Sequence, residues 1–172
     1  MRKLLTALTL ALVAAPASAA LQTGARAPNF VTIGAVGGKP FKLDLGEQLR
    51  HGPVVLYFYP KAFTKGCTLE AHAFSVAIPE FTKAGARVIG MSADNLETLK
   101  RFSVEACRNA FPVATADKKI IKAYDVAIPV VGLSNRTSYV IAKDGRIVMV
   151  HSEMDWKDHV TKSLAAVKAL KR

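Results

Sequence analysis

Cys67 stands three residues after Thr64 and seven after Pro60, in the segment Tyr59-Pro60-Lys61-Ala62-Phe63-Thr64-Lys65-Gly66-Cys67-Thr68-Leu69-Glu70. An apolar run feeds this segment, and a helix is predicted to begin at about Gly66. The first turn of a helix carries unpaired N–H groups and the positive end of the dipole. Both favour thiolate over thiol, so a cysteine placed there is acidified and becomes a nucleophile. Thr64 is near enough in a tight turn for its hydroxyl to meet the sulfur. Placement alone leaves a second reading open, because a lone cysteine is often a small buried hydrophobe. Metal binding is a poor fit. His72 lies five residues on, about 140° around a helix, there is no Cys-x-x-Cys, and no third ligand converges. The same missing pair argues against a thioredoxin-type disulfide oxidoreductase. His51, His151 and His159 read as ordinary loop or helix-margin residues.

The elements that must position Cys67 alternate between strand and helix. Asn29 to Ile33 and Pro40 to Leu43 flank Gly37-Gly38, a hairpin signal. Val54 to Tyr59 is an unbroken run of β-formers, as expected of a central strand covered on both faces. A helix is predicted from about Gly66 to Phe74, with a second piece starting near Pro79, where proline suits a first turn. Arg87 to Met91 repeats the buried-strand pattern. Asp94 or Asn95 can cap a helix running to about Arg108. Val113 to Thr115 reads as a short strand and Lys118 to Tyr124 as a short helix. Thr137 to Ala142 and Ile147 to His151 are strands joined by Lys143-Asp144-Gly145-Arg146, and Asp155 can cap a final helix presenting Val160, Leu164 and Val167. This is an α/β sandwich with a mixed sheet and an N-terminal β-hairpin.

Pro60-x-x-x-Thr64-x-x-Cys67, after an apolar strand and before a helix, resembles the active-site motif of the peroxiredoxins. Val55 to Glu70 is most similar to the bacterioferritin comigratory protein, or peroxiredoxin Q, branch. The likeness extends through Ala27-Pro28-Asn29-Phe30, Val88-Ile89-Gly90-Met91-Ser92, Phe111-Pro112, and Arg136-Thr137-Ser138-Tyr139-Val140-Ile141 with Asp144-Gly145. It implies a thioredoxin-like three-layer fold and an antioxidant thiol peroxidase with no cofactor or metal. By the same resemblance Cys67 is the peroxidatic nucleophile that becomes a sulfenic acid. Thr64 bonds sulfur and peroxide, Pro60 closes the pocket, and Arg136 adds positive charge; an ordinary surface arginine is the other reading of Arg136. Glu70 fits a supporting role for the loop or for Arg136, since a carboxylate beside a thiolate opposes its ionisation.

The chain departs from that branch in three places. Its usual resolving cysteine, five residues after the peroxidatic one, is replaced by His72, and Ala62 and Lys65 stand where Asp and Pro are usual. Cys107, near the end of the predicted helix from Asn95, is the other candidate for resolution, through a disulfide with Cys67 formed after local unwinding. The alternative is a one-cysteine cycle completed by an external thiol.

Composition bounds the rest. The chain has 172 residues, 51% apolar and 22% charged, which excludes disorder and suits one domain. Met1-Arg2-Lys3, the apolar run Leu4 to Ala15, and Ala17-Ser18-Ala19 form a secretory leader, residues 1–19, with a single domain over 20–172. Its run is shorter than the ~20 residues that span a bilayer. Removing it leaves 22 basic against 13 acidic residues, a balance of +9. The bases are scattered, so a solvated surface is favoured over nucleic-acid binding. The expected product is a periplasmic monomer, free of the membrane after cleavage. Its expected partners are a peroxide, either hydrogen peroxide or an organic hydroperoxide, and an external reductant, thioredoxin-like or a low-molecular-weight thiol. Two rival readings keep the fold: a non-catalytic basic binding or chaperone module, and a periplasmic thiol oxidant acting through Cys107.

Overall fold

The computed structural model describes residues 20–170; the leader expected over 1–19 lies outside them. The elements run β1 (Val31–Val36), β2 (Lys39–Asp44), α1 (Leu45–Arg50), β3 (Val54–Phe58), α2 (Lys65–Lys83), β4 (Arg87–Ser92), α3 (Leu96–Glu105), β5 (Val113–Thr115), α4 (Lys118–Ala123), β6 (Thr137–Ile141), β7 (Ile147–Ser152) and α5 (His159–Ala169). The seven strands form one sheet in the order β2-β1-β5-β4-β3-β6-β7. β3, β4 and β5 are parallel, and the remaining pairs are antiparallel.

Alternation along the central strand creates the two cores. Val55 and Tyr57 point to the face covered by α2, α3 and α5. Val54, Leu56 and Phe58 point to the other, covered by α1 and α4. Every residue of β3 is buried, which explains its lack of polar alternation. On the first face Tyr57 stacks on Phe74 of α2 with centroids 4.4 Å apart, and Tyr59 stacks on Phe102 of α3 at 5.4 Å. Burying rings of this size stabilises by roughly 1.5–3 kcal/mol each, and these stacks fix the two helices over the end of β3. The result is the three-layer α/β sandwich with an N-terminal hairpin.

The hairpin turns at Gly37 and Gly38, with φ of +56° and +75°, the left-handed pair that a two-residue turn requires. Its strands extend further towards that turn than the sequence pattern indicates. α1 is absent from the sequence reading. Asp44 caps it by accepting from the Glu47 amide at 3.2 Å, so Asp44-x-x-Glu47 was its available signal. α2 is one continuous helix, not two pieces. Cys67, Ala71, Phe74, Ile78 and Phe81 keep helical spacing across Pro79 and face one core, and that burial outweighs the hydrogen bond lost at proline. α3 ends at Glu105, so Cys107 lies just beyond it. α5 begins at His159 after Asp158. Asp155 instead accepts from the Lys157 amide at 3.2 Å, in the turn before the helix.

Candidate active site

The carboxyl end of β3 delivers the chain into the loop that opens α2. Three bonds pin it: the Ser134 hydroxyl donates to the Tyr59 carbonyl at 2.9 Å, the Ala62 amide donates to Asp94 at 2.7 Å, and the Ser92 hydroxyl holds the same carboxylate oxygen at 2.8 Å. Phe63 adopts φ +64°, an uncommon conformation for a bulky side chain that the surrounding packing enforces. Its ring meets Phe102 edge to face at 5.2 Å and lies under the Arg101 guanidinium at 5.1 Å. The loop is therefore tied to the segment before β6, to the turn after β4 and to α3.

Thr64 is the N-cap residue of α2. The first helical bond runs from the Thr68 amide to the Thr64 carbonyl at 2.9 Å, so the amides of Lys65, Gly66 and Cys67 precede the ladder at the positive end of the dipole. The Thr64 hydroxyl donates to the Lys61 carbonyl at 3.0 Å rather than to the sulfur. Pro60 is half-buried at the start of the same loop.

Cys67 is 2% exposed. Against it lies Arg136, 4% exposed, carried in by the residue that immediately precedes β6. Each edge of its guanidinium is used: Nε donates to the Met154 carbonyl at 2.9 Å, Nη1 to Glu70 Oε2, and Nη2 to Cys67 Sγ at 3.4 Å. The absence of a side chain at Gly66 permits this approach, since a Cβ there would come within 3.2 Å of Nη2. One buried cation thus bridges a sulfur and a carboxyl whose residues are three apart on one helix face. Glu70 is wholly buried, and that burial pushes its carboxyl up to about 8 against the opposing pull of Arg136.

Cys107 is also wholly buried, in the same core as Cys67, and both are free thiols. Burial pushes the Cys107 thiol well above its usual range.

A core side chain with a loop-like sequence signature completes the group. His159, read from sequence as a helix-margin residue, is fully buried with Nδ1 3.7 Å from Glu70 Oε1. The buried stripe of α5 is His159, Ser163 and Val167, regular in spacing but mostly polar, so hydropathy did not mark it.

A strand-end loop, a helix-start cysteine and a buried arginine are the setting of a thiol nucleophile, and residues 23–150 match the model of the AhpC/TSA family. The chain belongs to the AhpC/TSA family. It is 34% identical to peroxiredoxin Bcp of Xanthomonas campestris pv. campestris over 124 residues, 67% of this chain and 76% of that protein. It is 32% identical to the chloroplastic peroxiredoxin Q of Sedum lineare over 150 residues, 86% and 78% of the two chains. The crystal structure of peroxidoxin BcpB from Mycobacterium tuberculosis superposes with a TM-score of 0.77 at 32% identity, covering 88% of this chain and 99% of that one. The chain is accordingly a peroxiredoxin of thioredoxin-like fold, an oxidoreductase with thiol-dependent peroxidase activity. The basic binding module and the thiol oxidant are not favoured.

Proposed function

We propose that Cys67 is the sulfur at which this peroxidase reduces its substrate. The observation that carries the reading is the Arg136 Nη2 donor on Cys67 Sγ, a fixed cation in a dry site beside a helix-start cysteine. The thiolate attacks one peroxide oxygen, forming an S–O bond as the O–O bond breaks. The departing oxygen takes a proton and leaves as water or an alcohol, and Cys67 becomes a sulfenic acid. Arg136 stabilises the thiolate before attack and the charge that develops on the leaving oxygen during it. The amide of Cys67 adds a second donor, Pro60 restricts water, and the Thr64 oxygen is a hydrogen-bonding group at the loop's edge. Near-complete burial of Cys67 favours small oxidants, hydrogen peroxide before bulky hydroperoxides.

The sulfenic acid returns to thiol by one of two balanced routes. In the first, the Cys107 thiol displaces water to give a Cys67–Cys107 disulfide, which an external dithiol reduces. In the second, an external thiol displaces water directly, and another thiol molecule releases Cys67. Cys67→Ser tests the whole assignment: it is expected to abolish peroxide consumption with a small thiol as reductant, and equal rates for the variant and wild type would overturn it.

The Arg-Lys start, the Leu4 to Ala15 run and Ala17-Ser18-Ala19 support export to the periplasm with cleavage after Ala19. The mass of the exported product tests this; a chain retaining residues 1–19 in the cytoplasm overturns it. The large exposed apolar side chains of the described residues are spread over β1, the loop before α2, α2, α3, the 129–133 loop, the segment before α5 and Leu170 after it, which supports a monomer. Sedimentation of the purified chain checks this, and a concentration-independent dimer overturns it.

A further inference from the structure

Arg136 is a single buried cation between two groups able to carry negative charge. If the Cys67 sulfur and Glu70 were both ionised, the pocket would hold a net negative charge away from water, and the carboxylate would draw on the donor the sulfur needs. The surroundings of Glu70 decide which group is charged. Oε2 accepts from Arg136. Oε1 is buried with no hydrogen-bond partner and faces His159 Nδ1 at 3.7 Å.

The state of His159 follows from its other contacts. Nε2 is 2.9 Å from the Glu153 carbonyl, which can only accept, so Nε2 carries the hydrogen. Burial, above all, holds the imidazole down to about 4, with His151, Arg136 and Lys162 adding to it and the Glu153 carbonyl opposing. The ring is therefore neutral and Nδ1 bare, accepting from the Ser138 hydroxyl at 2.8 Å. A carboxylate oxygen facing that nitrogen would set lone pair against lone pair. A neutral carboxyl removes that repulsion, its O–H turned towards an acceptor that Ser138 already uses.

We propose that Glu70 works as a neutral carboxylic acid, its proton on Oε1 facing His159 Nδ1, so that the Arg136 charge is left to the Cys67 thiolate. His159 is then a positioning residue, acting on the sulfur through Glu70 and Arg136. The inference rests on Cys67 being the nucleophile. Arg136 and Cys67, His159 of α5 and Tyr57 of β3 are the titratable or charged groups that face Glu70. Tyr57 is neutral, its hydroxyl pushed far up mainly by burial. His151 of β7, centroids 4.5 Å away, and Lys162 stand on the far side of His159.

Two measurements on the full chain test this, and one does not use activity. The infrared difference spectrum of wild type minus Glu70→Gln should contain a protonated carboxyl C=O band at neutral pH that disappears with a midpoint near 8. Absence of that band at neutral pH overturns the inference. The second is the rate of reaction with hydrogen peroxide against pH, followed by the fluorescence of nearby Trp156. In wild type it should decline above neutral pH as Glu70 ionises. Relative to its own neutral rate, Glu70→Gln should lose the decline. His159→Ala, which removes the acceptor and admits water, should move the midpoint down by about one pH unit or more, and His159→Asn should restore it. A decline that persists unchanged in Glu70→Gln overturns the inference, as does a folded Glu70→Gln protein inactive at every pH. Retained activity in Cys67→Ser would instead defeat the assignment of the nucleophile, with the infrared band untouched.

Discussion

Arg136 makes three directed bonds from one planar group, to a main-chain carbonyl, a carboxyl and a sulfur. Lysine keeps the charge but cannot address three acceptors in a plane. Arg136→Lys is therefore expected to lower kcat/KM for peroxide by about 10²-fold, the scale seen when one preorganised donor is removed from a developing anion. Its far-ultraviolet circular dichroism should be unchanged. A rate within about threefold of wild type in pre-steady-state oxidation would mean that charge alone suffices and the fork geometry is dispensable. Thr64 acts differently. Its hydroxyl is occupied by the Lys61 carbonyl, so it shapes the loop in the thiol state.

At the scale of elements, the question is how Cys107 could reach Cys67. It sits just past α3, its amide bonded to the Phe102 carbonyl at 3.0 Å, and is followed by Arg108 and Asn109 at φ +53° and +60°. Two successive left-handed non-glycine residues hold the turn in a costly conformation, so unwinding here gives back part of its own cost. The start of α2 is linked to the same region through the Phe63–Phe102 contact, and loosening one end loosens the other. One equivalent of peroxide should therefore remove two hydrogens from the intact mass of wild type. Cys107→Ser should hold the sulfenic acid, trapped by a dimedone-type reagent, with its first oxidation rate preserved. A wild-type chain that stays at the sulfenic mass would leave resolution to the external thiol.

Over the whole molecule, two buried titrating groups pull stability in opposite directions with pH. Glu70 is raised from about 4.3 in the unfolded chain to about 8 in the folded one. The native state then holds the extra proton, and stability falls as pH rises through that window. His159 is lowered to about 4. Its contribution is present above about 6.5 and is lost as pH falls towards the folded value. The two oppose each other at acid pH and part company above it. From about pH 6.5 to 8, wild type should lose up to about 2 kcal/mol relative to Glu70→Gln. Urea midpoints of the two proteins across that range measure it, and a pH-independent difference would place an ionised Glu70 in the fold.

How much of this was legible beforehand differs from feature to feature. The covered central strand announced itself because both faces of β3 are dry, and the hairpin because its turn needs two successive positive φ angles, which glycine adopts without steric cost. Of Asp94 and Asn95, it is Asn95 that caps α3, where pattern and chemistry agree. Pro79 misled, since tertiary burial of a regular apolar stripe overrode a local breaker, and α1 was too short for its periodicity to register. Asp155 misled as well, because a capping residue can serve a turn as readily as a helix.

The motif around Cys67 lies within one loop and one helix start, so local order alone determined where this cysteine stands. Arg136 could be named only through resemblance, since 69 residues separate it from the sulfur it touches. His159 could not be named at all. Its relation to Glu70 exists only because α5 packs beside α2 over the same sheet face, and no spacing along a chain encodes which polar groups will share a buried volume. Sequence determined the strand, the loop and the thiol. Tertiary structure decided which charges surround them, because electrostatic interaction depends on distance through a dry interior and not on separation along the backbone.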